Sequence, residues 1–114
     1  MAAGLAIKKN YNNIEEANFN KSLCVEKLVE ALFEADNKTR IQIENDIVSL
    51  GKSAVSYLVN CLNEVKGQVR GIIAMSLIRI GRDSILELKQ FAIQKPAMAW
   101  VANYLISEIE CKQH

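Results

Sequence analysis

The chain holds a single histidine, at its last position, and three cysteines with no two close together. Those shortages exclude much chemistry. His114 sits where chains fray and is a poor candidate for catalysis, so no serine has a histidine to activate it. Metal and redox motifs place a second donor two to four residues away, so that both aim at one point. Cys24, Cys61 and Cys111 are too far apart for that and read as reduced thiols packed as small hydrophobes. A glycine-rich phosphate loop is missing too. Glu44 and Asp46 are two apart on a helical stretch and point to different faces, so they form no local carboxylate pair. The expectation is a protein that is not an enzyme and needs no metal or cofactor.

An excess of one charge is also lacking. Fourteen basic residues face thirteen acidic ones for a net charge of +1, without the broad positive field that counterion-driven nucleic-acid binding relies on. Long apolar runs are missing as well. Gly4-Leu5-Ala6-Ile7 precedes Lys8 and Lys9 and falls short of the ~7–15 apolar residues of an export signal. Nothing approaches the ~20 needed to span a bilayer. A soluble, cytoplasmic protein without membrane contact is expected. Its 114 residues, half of them apolar, suit one domain with a sizeable core.

What is present is a repeat of thirty residues: Leu28, Leu58 and Leu88 align, as do Arg40 with Arg70 and Gly51 with Gly81. A period of this size means stacked supersecondary units, each too small to bury its own apolar face. Val25, Leu28, Val29 and Leu32 keep the three-and-four spacing of one helical face. Asp36 and Asn37 offer an N-cap, and Ile43, Ile47 and Leu50 mark a second helix closed by Gly51, a residue suited to a left-handed C-terminal cap. Ser53 is the expected N-cap of the next helix, which carries Val55, Leu58, Val59 and Leu62. After a turn at Lys66 and Gly67 come Val69, Ile72, Ile73, Leu77 and Ile80, and Gly81 closes the unit. Asp83 or Ser84 caps the third unit, with Ile85, Leu88 and Ala92. Pro96 opens its second helix, whose Val101, Leu105 and Ile109 match the middle unit best at a lag of twenty-eight. The reading is all-α: three antiparallel helix pairs over about 22–51, 52–81 and 82–111, forming an α-solenoid within 22–114. Residues 1–21 are either an arm or a capping helix around Ile14 that covers the first unit.

The segment from Cys61 to Gly81 resembles the HEAT-repeat pattern through Leu62, Glu64, Val69, Arg70, Ala74, Ser76, Leu77, Ile80 and Gly81. The first unit resembles it through Leu32, Glu34, Asp36, Arg40, Ile47, Leu50 and Gly51, with Thr39 at the usual valine and Glu44 and Asp46 where small residues are preferred. In the third unit Met98 falls where arginine is expected. The resemblance covers roughly 22–110, and the short period is similar to bacterial HEAT-like units such as those of phycobilin lyases. It implies an α-solenoid whose second helices line a concave face, and it implies structural roles for Glu34, Arg40, Glu64, Arg70, Gly51 and Gly81, the arginines pairing with the acids six residues earlier and bracing one unit on the next.

The second helix of the middle unit is apolar nearly all round, and such a helix expects cover on two sides. Neighbouring second helices supply part of it. The rest suggests a contact surface with Gly71, Met75 and Ile78 as its floor. Trp100, matched to Ile72, reads as core, or as an aromatic anchor if the interface exists. Tyr104, matched to Ser76, is expected to bring its hydroxyl to solvent or a polar partner. Arg79, Lys52 and Arg82 would edge the same side and steer an acidic partner. The leading expectation is a scaffold that binds another protein through Gly71, Met75, Ile78, Arg79, Trp100 and Tyr104. An accessory or lyase-like chaperone of a tetrapyrrole-bearing protein is the alternative that the resemblance implies. Nucleic acid is disfavoured, and a homodimer would bury one of the two apolar ends.

Overall fold

The computed structural model of the chain describes residues 24–112, and every regular element among them is helical. The expected arm or capping helix of residues 1–21 lies outside the described residues. Helix α1 (24–32) is followed by α2 (Asn37–Leu50), α3 (Lys52–Glu64), α4 (Gly67–Ile80), a 3₁₀ turn over Gly81–Ser84, α5 (Ile85–Gln94), a second 3₁₀ turn over Pro96–Met98 and α6 (Ala99–Lys112).

Local chemistry explains these boundaries. Asp36 is extended and accepts a hydrogen bond from the Thr39 N–H at 2.8 Å, which caps α2 and holds the Asp36 carboxyl below its usual range. Gly51, with φ 62° and ψ −139°, ends α2 and begins α3 in one residue. Its φ is positive as expected, but its ψ is far from the left-handed helix, so the turn is tighter than a left-handed cap. Ser53 consequently falls inside α3 rather than capping it, and its hydroxyl donates to the Leu50 carbonyl at 2.7 Å. Ser84 likewise makes no cap bond to α5. Its buried hydroxyl turns back to the Leu77 carbonyl at 3.0 Å.

The core joins Val25, Val29 and Leu32 of α1 to Ile43 and Ile47 of α2, Val55, Leu58 and Leu62 of α3, Ile73 and Leu77 of α4, Leu88 and Phe91 of α5, and Leu105 and Ile109 of α6. Each fully buried leucine or isoleucine contributes about 1.5–3 kcal/mol relative to exposure. Consecutive helices pack across their turns, α3 on α4 and α5 on α6. Every other helix packs as well: α2 on α4, α4 on α6, and α3 on α5. The helices α2, α4 and α6 are thus successive neighbours, as are α3 and α5.

Candidate partner-binding face

Burial along the second helices defines one outward face. In α4 the buried residues are Val69, Ile73, Ser76, Leu77 and Ile78, while Gly71 and Met75 are exposed. In α2, Ile43 and Ile47 are buried, and Ile41 and Asn45 are exposed at the positions of Gly71 and Met75. In α6, Ala102, Leu105 and Ile106 take the inward places of Ile73, Ser76 and Leu77. That match is one residue later than the one the sequence suggests. Trp100 therefore corresponds to Gly71 rather than Ile72, and Tyr104 to Met75 rather than Ser76.

This shift overturns the expectation of a packed Trp100. Its indole is 70% exposed and Tyr104 is 59% exposed, on the same side of α6 one turn apart. Two rows then cross the three helices: Ile41, Gly71 and Trp100 in one, and Asn45, Met75 and Tyr104 in the other. Ile41 is 62% and Met75 43% exposed. A Cβ added to Gly71 would meet no atom within 4 Å, so the middle place of the first row is an open notch. Between α2 and α4, Asn37, Arg40, Glu44, Gln68, Gly71, Ile72 and Met75 line a groove of about 390 Å³.

Ile78 does not belong to this floor. It is only 8% exposed, and helical geometry puts it on the flank of α4 opposite Ile72 and Arg79, which face α2; spacing on one helix does not reveal which flank the next helix takes.

The arginines also differ from expectation. Arg40 and Arg70 make no ion pair with Glu34 or Glu64. Instead Arg40 Nε donates to the Leu32 carbonyl at 3.0 Å and Arg70 Nε to the Val65 carbonyl at 2.9 Å. These carbonyls end the preceding helices and have no partner further along the helix, so a guanidinium in the next helix satisfies them. Glu34 and Glu64 stay exposed in water, where a carboxylate gains little by leaving its hydration. Arg40 also reaches the neighbouring unit, donating from one Nη to Gln68 Oε1 at 2.6 Å.

Arg79 is not free to steer a partner. Its Nη1 donates to Glu44 Oε2 and to Asn45 Oδ1, both at 2.9 Å, in the one ion pair among the described residues. Glu44, which departs from the small residue preferred at its position, thus joins Asn45 and Arg40 in the polar contacts between α2 and α4. Lys52 and Arg82 lie elsewhere, lining with Val55, Ser56, Asp83, Leu86 and Glu87 a pocket of about 240 Å³ between α3 and α5. Leu86 and Ile93 are also exposed on α5, two turns apart with Lys89 and Gln90 between them. Phe33, 54% exposed just past the end of α1, matches Ile93 at two thirty-residue steps, with the polar Asn63 between them.

Among the described residues no group of histidine, cysteine or carboxylate side chains is placed to hold a metal ion, and no helix is long and apolar enough to cross a membrane. No protein-family model, curated protein or solved structure matches the chain.

Proposed function

We propose that the chain is a HEAT-like α-solenoid of three antiparallel helix pairs, a scaffold that binds another protein through the outward face of its second helices. The thirty-residue recurrence and the packing of α2 on α4 and α4 on α6 support the architecture. The observation that carries the function is the pair of rows, Ile41–Gly71–Trp100 and Asn45–Met75–Tyr104, in which four large apolar or aromatic side chains stand in solvent at matching places on three neighbouring helices. Exposed hydrophobes scattered singly are ordinary, whereas a contiguous set is what interfaces are made of.

The test uses Met75→Asp with Tyr104→Asp, two exposed positions whose exchange leaves the core intact. Affinity capture from the source cell is run with wild type and variant side by side, and circular dichroism confirms equal helicity. A protein recovered by the wild type and lost from the variant supports this face as the binding site. Equal recovery by both removes it.

A further inference from the structure

Close to Gly71 the charges without an ion-pair partner are basic, and this deepens the reading above, on which it rests. Acids lie further off: Glu44 is paired with Arg79, Asp46 is exposed on α2, and Glu108 and Glu110 stand in the last turns of α6. Helix α4 carries Arg70 and Arg79 and no acid along its whole length, and α6 carries no charge from Ala99 to Ser107. On α2, Arg40 borders the groove beside Glu44, and Glu44 is already taken by Arg79. Arg40 and Arg70 face no carboxylate within ion-pair distance among the described residues. Both are half-buried and anchored through Nε to a backbone carbonyl, so the guanidinium is held in place before anything binds. Arg70 makes no further hydrogen bond among the described residues and so keeps both Nη groups for an incoming acceptor. It adjoins the Gly71 notch in sequence.

The geometry points to an acidic segment of another protein bearing large apolar anchors as the occupant of this face. An anchor side chain enters the notch over Gly71 between Ile41 and Trp100, and carboxylates on either side of it meet the guanidiniums of Arg70 and Arg40. Pre-positioned guanidiniums bind carboxylates with two parallel hydrogen bonds, which adds geometry to charge. The apolar rows supply the attraction and the arginines choose the partner's sign.

Trp100 is the only tryptophan of the sequence, so its emission reads this face without a label. The full chain is titrated with three synthetic helical peptides that share leucines at three-and-four spacing and differ only at the flanking positions, which are all glutamate, all glutamine or all lysine. A single-stranded DNA oligomer is the fourth probe. The expected result is a saturable blue shift with the glutamate peptide, at an affinity about tenfold or more above that of the lysine peptide. Arg70→Gln should weaken the glutamate peptide and leave the glutamine peptide unchanged; the wild-type peptide series stands alone if that variant folds poorly. Equal affinity for the glutamate and glutamine peptides overturns the acidic preference while leaving the face as a docking surface. No shift with any peptide overturns the face itself and the reading beneath it. Tighter, steeply salt-dependent binding of the oligomer assigns the arginines to phosphates instead, and a shift with protein concentration alone assigns the face to a second copy. Either result overturns the proposal.

Discussion

Tyr57 and Cys61 stand one turn apart on α3 and show what burial does to single residues. Burial pushes the Tyr57 phenol up from 10.0 to about 12, with Cys61 and the carboxylates of Glu26 and Glu30 adding to it. The fold therefore favours the neutral phenol. Its contribution to stability is complete below about pH 10 and is lost as pH rises toward about 12. A spectrophotometric titration should show a phenolate step near pH 12 that Tyr57→Phe removes; a chain without such a step contradicts the packing of α3. Burial also pushes the Cys61 thiol up, whereas Cys24 and Cys111 are exposed. A thiol reagent at neutral pH should label two cysteines promptly and Cys61 only after denaturation. Prompt labelling of all three would mean that α3 does not face the core.

At the scale of the element, two glycines test the backbone in opposite directions. Gly51 links α2 to α3 at φ 62° and ψ −139°, a region costly for any residue with a Cβ, although no neighbour lies within 4 Å of one. Gly51→Ala should cost about 1–3 kcal/mol. Gly71 lies inside α4 with equally open space around it, so Gly71→Ala should stabilise the chain by about 0.5–1 kcal/mol. Urea unfolding of both variants reads the two signs, and the reverse order would contradict the placement of these helices. The elements themselves were largely legible in the sequence. The spacing of Val25, Val29 and Leu32, and of Val55, Leu58, Val59 and Leu62, marks the faces that are buried, because one helical face against one core leaves a periodic trace. The caps were less legible, since Gly51 turns the chain in one residue and moves the start of α3 ahead of Ser53.

At the scale of the whole molecule, what could not be read was how neighbouring helices meet. Sequence matching placed Trp100 over Ile72. The burial of Ala102, Leu105 and Ile106 and the exposure of Trp100 itself place it one residue over, on the outward side, after a 3₁₀ turn over Pro96–Met98 that the middle unit lacks. The burial of Ile78 and the use of Glu44 by Arg79 depend in the same way on contacts between units, which leave no periodic signal. The exposure of Met75 was legible because Val69, Ile73 and Leu77 mark the opposite side of the same helix as its buried face. The outward face is the central claim, and Trp100 is its most telling member. Acrylamide quenching of the tryptophan emission in the free chain tests it directly. The account expects red-shifted emission and a quenching constant close to that of a free indole in water, in keeping with 70% exposure. Blue-shifted emission shielded from acrylamide in the monomeric chain would put Trp100 inside and contradict the face.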